Sequence, residues 1–382
     1  MEFAFETLRR APDVEGPGLA AFDTADRLLL DESASARGTL DAGALAVIGD
    51  THGALTLASA DAGARGIRVH QDALTGERAL ARNAAALGLE DAFTSLPLGV
   101  ELLRGAKVVL LRLPRSLDAL DDMATMIAAH ADPEVIVFAG GRLKHMAVSM
   151  NEVLRRRFAR LDVTHARQKS RVLVARVPLP TPRAPLAPRS ARIALPERGE
   201  HLPAEQIVLC AHGGVFAGAT LDIGTRMLLA HLPADLPAGG PLVDFACGTG
   251  VVGTTLALRN PDRRVHASDV SAAACASARA TAAANGVADR VTVAQDDLLH
   301  VLPDGSTGFV ALNPPFHSGA AVTDAIAARM FADAARALRP GGELWTVWNS
   351  PLRYRAALER LVGPTRQVAR DPKFTLTVST RH

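Results

Sequence analysis

Residues 242–253 read LVDFACGTGVVG. The apolar run at Leu242, Val243 and Phe245 gives way to Gly248-Thr249-Gly250, and apolar residues resume at Val251. This pattern predicts a short buried strand over Leu242–Ala246 that turns directly into a helix over Val251–Leu258. Glycines at such a junction let the backbone come close to a ligand, and the helix N-terminus offers N–H groups without intrahelical partners. Cys247, Gly248 and Gly250 are therefore candidate cofactor contacts.

Outward from this turn the same alternation continues. Arg264–Ser268 reads as the next strand, and Ala272–Asn285 as an Ala-rich helix stopped by Asn285-Gly286. Val291–Ala294 and Gly308–Leu312 are further buried strands. A helix near Val322–Leu338 should end at Arg339-Pro340-Gly341-Gly342, with a strand over Glu343–Trp348 and a last strand pair around Asp371-Pro372-Lys373. Strands alternating with helices make an α/β chain with a parallel sheet and crossover helices.

Three carboxylates fall where such a sheet presents its strand ends. Asp269 lies 21 residues beyond Gly248, where a carboxylate can accept both hydroxyls of a ribose. Asp297, with Asp296 as the alternate, is placed to receive an adenine amino group. Asp244 precedes the glycine loop, and a negative charge there suits the cationic amino-acid end and sulfonium of S-adenosylmethionine. The glycine spacing also matches a dinucleotide fingerprint, but the single tyrosine, Tyr354, has Leu358 four residues on, so no Tyr-x-x-x-Lys proton relay exists.

Asn313-Pro314-Pro315-Phe316-His317 follows the strand ending at Leu312, at the carboxyl edge where open α/β sheets bind ligands. The Asn313 side-chain oxygen and the Pro314 carbonyl can together accept both hydrogens of one exocyclic amino group. Phe316 supplies a stacking face for a planar base. Such a loop aims a nitrogen lone pair at a methyl group, so its catalytic contribution is positioning.

In these motifs the chain resembles the two-domain bacterial ribosomal RNA guanine-N2 methyltransferases. The resemblance implies two tandem class I methyltransferase (Rossmann-like) domains with the N-terminal one degenerate, S-adenosylmethionine as donor, and a guanine amino group of ribosomal RNA, naked or partly assembled, as acceptor. It also implies that Phe216 and Asp222, in Gly214-Val215-Phe216 and Leu221-Asp222-Ile223-Gly224, lie beside the cofactor. Read without it, the two are equally a packed loop residue and a helix cap. The stretch 322–347 and Lys373-Phe374 are nearer the large-subunit (23S) enzyme than the small-subunit (16S) one. N-P-P-F/Y loops also serve adenine-N6 and protein-glutamine methyltransferases, and a non-catalytic RNA-binding assembly factor is the alternative of a different class.

The first half looks like a worn copy of the second. The segment from Arg68, RVHQDALTGERALARNAAALGLED, parallels RVHASDVSAAACASARATAAANGVAD from Arg264, each with a strand ending in an acid (Asp72, Asp269) before an Ala-rich helix. Arg112-Leu113-Pro114-Arg115 stands where the second half has its Asn-Pro-Pro-Phe loop, and an arginine there repels an amino donor. Gly49-Asp50-Thr51-His52-Gly53 mimics one metal motif of calcineurin-like phosphoesterases, but the upstream Asp-x-His and later Gly-Asn-His are missing, so no metal is expected. Prolines spaced through residues 178–196 predict a linker, assigned to 181–205, between domains at 1–180 and 206–382.

Charge is uneven. The 382 residues carry 42 Lys+Arg and 40 Asp+Glu, a net +2, yet residues 142–192 hold 13 basic residues against two acids. That band, with Arg155, Arg156 and Arg157 at its centre, is either an RNA phosphate surface or a solvated face. Three cysteines cannot form a disulfide framework and lack zinc spacing, MEFAFETLRR is not a signal peptide, and no apolar run approaches the ~18 residues of a membrane span. The expectation is a cytoplasmic, monomeric enzyme with neither metal nor membrane.

Overall fold

The computed structural model describes residues 3–196, 206–315 and 320–382. The chain divides into two compact units, 1–187 and 188–382, each with its own mixed sheet.

In the first unit seven strands, β1 (Leu45–Ile48), β2 (Ile67–His70), β3 (Phe93–Ser95), β4 (Val108–Arg112), β5 (Ile136–Arg142), β6 (Phe158–Val163) and β7 (Ser170–Pro178), lie in the order β3-β2-β1-β4-β5-β7-β6. The first five positions run parallel, and β7 inserts antiparallel between β5 and β6. The second unit opens with a hairpin, β8 (Arg189–Ala194) and β9 (Gln206–Ala211). It continues with β10 (Leu242–Phe245), β11 (Val265–Asp269), β12 (Val291–Gln295), β13 (Thr307–Leu312), β14 (Leu338–Asn349), β15 (Thr365–Arg370) and β16 (Phe374–Thr380). Their order, β12-β11-β10-β13-β14-β16-β15, repeats that of the first sheet strand for strand. Both sheets are Rossmann-like.

Helices cover both faces, so the central strands β1 and β10 are buried at every position, and Asp244 is the one polar residue in either. Most helix starts needed by the sites carry a side-chain cap. Asp23 caps Thr24–Arg37, Ser116 caps Leu117–His130, Asp222 caps Ile223–His231 and Ser271 caps Ala272–Ala284.

Two local expectations change. Part of the segment assigned to the linker is β8, paired with β9 from Arg189↔Ala211 to Ala194↔Gln206. No proline falls between Pro188 and Pro196, so residues 189–195 keep the N–H groups that an edge hairpin needs; residues 197–205 lie outside the described residues. The strand expected at Glu343 begins at Leu338 instead, because Leu338 pairs with Thr307 before an irregularity resets the register at Phe309↔Glu343. Pro340 and the two glycines sit in that irregularity.

Candidate active site

The glycine loop is held by the strands on either side of it. Ala246, Gly248 and Gly250 all have positive φ (57°, 53° and 73°), the left-handed backbone that turns β10 into the helix Val251–Arg259. A Cβ on Gly250 would come within 2.8 Å of the Ala278 Cα, so only glycine lets the two helices approach. At Gly248 the space is open, with nothing within 4 Å of where a Cβ would stand. Asp269 ties this loop down: its Oδ2 accepts from the Gly248 N–H at 2.9 Å and its Oδ1 from the Ser271 N–H at 2.9 Å. Cys247 is buried, and burial followed by the charges of Asp244 and Asp269 pushes its thiol up, leaving a neutral packing group.

Asp244 is buried in β10, with Oδ2 accepting the Gly253 N–H at 2.7 Å. Burial pushes its carboxyl to about 8, the Asp269 charge adds to the rise, and the Gly253 hydrogen bond acts against it. At neutral pH it is mostly protonated, and a cation brought against it restores the carboxylate. At the end of β12, Asp296 accepts the Val301 N–H at 2.9 Å, and Asp297 lies 3.4 Å from Arg329 Nη2. Both are buried, so each has its carboxylate restrained at the third strand's end.

Asn313 immediately follows β13. Its Nδ2 donates to Thr225 Oγ1 at 3.0 Å and lies 3.5 Å from Asp222 Oδ1. Asp222 in turn accepts the Gly224 and Thr225 N–H groups at 2.9 and 3.2 Å as the cap of Ile223–His231. A carboxylate can only accept, so it selects the amide nitrogen and turns the Asn313 oxygen away. That oxygen is buried and has no hydrogen-bond partner among the described residues. Phe374, first residue of β16, closes the helix end, its ring 3.1 Å from where a Gly224 Cβ would be. Phe216 lies exposed in the turn between β9 and that helix. Phe316 and His317 lie outside the described residues. Asp222 thus caps the helix and also orients Asn313. Thr225 went unnoticed in the sequence, although it directly follows the Leu221–Gly224 motif.

The first unit repeats this junction with other chemistry. Ile48 pairs with Leu111 and His70, as Phe245 pairs with Leu312 and Ser268. Arg112 thus occupies the place of Asn313, and the counterpart of Asp269 is Gln71. The strand-end acid expected at Asp72 is one residue too far along, because strand pairing, not the Ala-rich helix, sets the register. Gln71 donates its amide to the Asp50 carbonyl and so holds the corresponding loop. Residues 9–21 cover that loop, with His52 against Asp13 Oδ2 (3.1 Å) and the Ala21 carbonyl (3.3 Å). Arg112 fills the acceptor position, bound to Asp23 (2.8 and 3.1 Å) and Asp26 (2.7 Å).

The basic band is less positive than its composition. Arg156 and Arg157 share Asp121 at 3.4 and 3.6 Å, and Arg160 and Arg176 share Asp162. Arg155 alone of the trio has no acidic partner among the described residues. No group of His, Cys, Asp or Glu among the described residues is placed to hold a metal, and none of the described helices is long and apolar enough to cross a membrane.

Comparison with known proteins agrees with this geometry. Residues 206–378 match the methyltransferase small domain family and residues 1–179 the RLMG N-terminal domain family. The ribosomal RNA large subunit methyltransferase G of Streptomyces coelicolor is 37% identical over 97% of this chain and 96% of its own. That of Pseudomonas aeruginosa PAO1 is 35% identical over 98% and 97%. A T. thermophilus 16S rRNA N2 G1207 methyltransferase (RsmC), solved with AdoMet and guanosine, superposes with a TM-score of 0.74 over 99% of both chains at 18% identity, a likeness of fold. With two domains of one topology and relatives matched end to end, the chain belongs to the ribosomal RNA large subunit methyltransferase G family.

Proposed function

We propose that residues 206–382 transfer a methyl group from S-adenosylmethionine to the N2 amino group of a guanine in ribosomal RNA, 23S in preference to 16S. The observation that carries this reading is the buried Asn313 Oδ1, turned away from Asp222 and without a partner among the described residues. A buried acceptor of this kind is costly unless something donates to it, and a guanine amino group does so.

The residues present fit the donor. Gly248 leaves room at the helix N-terminus, Asp269 and Asp297 offer acceptors at the ends of β11 and β12, and Asp244 lies beneath the loop. When bound, S-adenosylmethionine supplies an electrophilic methyl group on a cationic sulfur. The protein's own contribution is orientation. Asn313 and the Pro314 carbonyl take the two amino hydrogens, which leaves the nitrogen lone pair free to point at the methyl carbon. No strong base is required, since the amino nitrogen becomes acidic once it carries the methyl group. Phe316 would stack on the base. In a duplex the N2 group is engaged, so the target guanine is unpaired or flipped.

The test is incubation with methyl-labelled cofactor and unmodified ribosomal RNA, followed by digestion and mass spectrometry. N2-methylguanosine is expected. Label in adenine or in protein glutamine would overturn the acceptor, and no label anywhere would favour a binding factor.

Asp244 makes cofactor binding pH-dependent. Its carboxyl is raised, so ionising it in the ligand-free protein costs stability as pH rises from its ordinary value toward about 8. A cationic ligand lowers it again and releases a proton, and affinity should climb more than about tenfold between pH 6 and 7.5. Calorimetric titration checks this. Asp244→Asn keeps the acceptor for Gly253 and should flatten the dependence; a variant as pH-dependent as the parent would remove Asp244 from the role.

A further inference from the structure

The turn that carries Asp297 is held in its shape from outside. After β12 the chain passes Asp296 and Asp297 into a turn over residues 298–302, where Leu298 has a φ of 71°. A leucine in the left-handed region is strained and persists only where its surroundings hold it. The turn's own bonds run from the Val301 N–H to Asp296 and from the Leu302 N–H to the Leu299 carbonyl, both at 2.9 Å. Other backbone groups are satisfied by side chains from distant parts of the chain. The Ser268 hydroxyl, on β11, donates to the Leu298 carbonyl at 2.8 Å. Asp333 Oδ2 accepts the Leu299 N–H at 2.7 Å. Arg336 grips the same residue, with Nη2 donating to the Leu299 carbonyl at 2.7 Å and Nη1 to the Leu302 carbonyl at 2.8 Å. Its Nε donates to Asp333 Oδ1, again at 2.7 Å, so the two side chains fix each other.

Asp333 and Arg336 lie on the helix Ala320–Ala337, and Arg329, one turn before Asp333, is 3.4 Å from Asp297 Oδ2. Steps of four and three residues put all three on one side of that helix. Beside them Ala327, Met330, Phe331 and Ala334 pack in the cluster that contains Leu299 and Leu302, so the helix seats the turn with apolar and polar groups alike. Asp333 is 9% exposed, and burying a carboxylate is costly unless its oxygens are bonded. Here one oxygen is spent on the turn and the other on the arginine that grips it. We infer that Asp333 and Arg336 are positioning residues for the cofactor: they hold Leu298 in its left-handed conformation and so aim Asp297, the residue before it, at the adenine amino group. Neither has to touch the cofactor. The inference rests on the placement of Asp297 in the reading above and adds what gives that carboxylate its direction. Selectivity for adenine then depends on side chains more than 30 residues away in sequence.

The experiment uses the full chain and two probes, S-adenosylhomocysteine and its deamino analogue, in which hydrogen replaces the adenine amino group. Calorimetric titration of the parent should favour the adenine compound by at least about tenfold, the scale of one hydrogen bond to a buried carboxylate. Asp333→Asn leaves one terminal atom to accept where two are needed, and Arg336→Met takes the donors from both carbonyls. Each should bring the preference below about threefold, with the loss falling on the adenine compound. The KM for S-adenosylmethionine should rise about tenfold while kcat with saturating RNA stays within about twofold, because the Asn313 clamp is untouched. Asp304→Asn, which removes the 79% exposed partner of Arg336, should change neither. Where Arg336→Met loses the parental circular dichroism spectrum, Asp333→Asn, which keeps the residue's size, decides. A preference that survives Asp333→Asn unchanged would end the inference and leave the enzymatic reading intact. An equal loss for both probes would end it too, since general loosening does not discriminate between them. A parent that binds both probes equally would remove Asp297 from adenine recognition and the two positioning residues with it. A parent that binds neither S-adenosylhomocysteine nor S-adenosylmethionine would sink the enzymatic reading itself.

Discussion

Asn313→Ala is expected to lower methyl transfer by about two to three orders of magnitude, the scale seen when one preorganised polar contact to a reacting group is removed. That is about 3–4 kcal/mol of barrier. Cofactor affinity should stay within about twofold, because Gly248, Asp269 and Asp297 remain untouched. The same side chain can be tested from behind. Thr225→Val removes the hydroxyl that holds the amide nitrogen at 3.0 Å, so the oxygen loses its fixed direction while every atom that faces the acceptor stays. Its rate should drop about tenfold through kcat rather than KM, and Thr225→Ser, which keeps the hydroxyl, should recover it. Single-turnover assays with saturating RNA separate these parameters. An Asn313→Ala enzyme with parental turnover would end the acceptor role, and loss of cofactor affinity along with activity would make Asn313 a structural residue.

How far the sequence was legible follows the range of the interactions. Elements closed by neighbours in the chain were readable: the helix after the glycine loop starts at Val251 as expected, and the Ala-rich helix runs 272–284 against an expectation of 272–285. Glycine, proline and capping residues act within a few positions, so their marks are local. The clamp on Asn313 was not readable, because Thr225 is 88 residues away and meets it only when a helix end and a strand end converge at one sheet edge. The basic band misled for the same reason. Asp121 lies 35 residues before Arg156, and no composition window joins them. The slip between Asp72 and Gln71 has another origin: Ala-rich helices slide on one another without penalty in a sequence comparison, whereas a strand pair admits a single register.

Removing the charge at Arg112 should be the most destabilising single change in the first domain. Its guanidinium lies between Asp23 and Asp26, whose side chains are 31% and 9% exposed, and Arg112→Met takes the counter-charge from Asp26 and leaves Asp23 with only the weaker pull of Arg142. Breaking a largely buried pair from one side costs about 3–5 kcal/mol, whereas replacing it whole by apolar groups is close to neutral. Asp26→Leu added to Arg112→Met should therefore restore much of the loss, with Asp23 kept because it caps the helix. The pH dependence has a defined sign. Burial already lifts Asp26 to about 6 despite Arg112, whereas Asp23, also raised by burial, is held low by the bond and charge of Arg112 first, then by the Ala25 N–H and Arg142. Without Arg112 both carboxyls rise. A raised carboxyl costs stability as pH climbs through its folded value, so the deficit should be largest near pH 8 and shrink toward pH 5. Both tryptophans, Trp345 and Trp348, belong to the second domain, so urea unfolding followed by circular dichroism registers a first-domain loss that tryptophan fluorescence does not read directly. A dichroism midpoint unmoved at pH 8 would mean that Arg112 contributes charge to the surface and nothing to the fold. A loss that Asp26→Leu deepens rather than relieves would mean that Asp26 is needed for the capping box it forms with Asp23 and not for its charge.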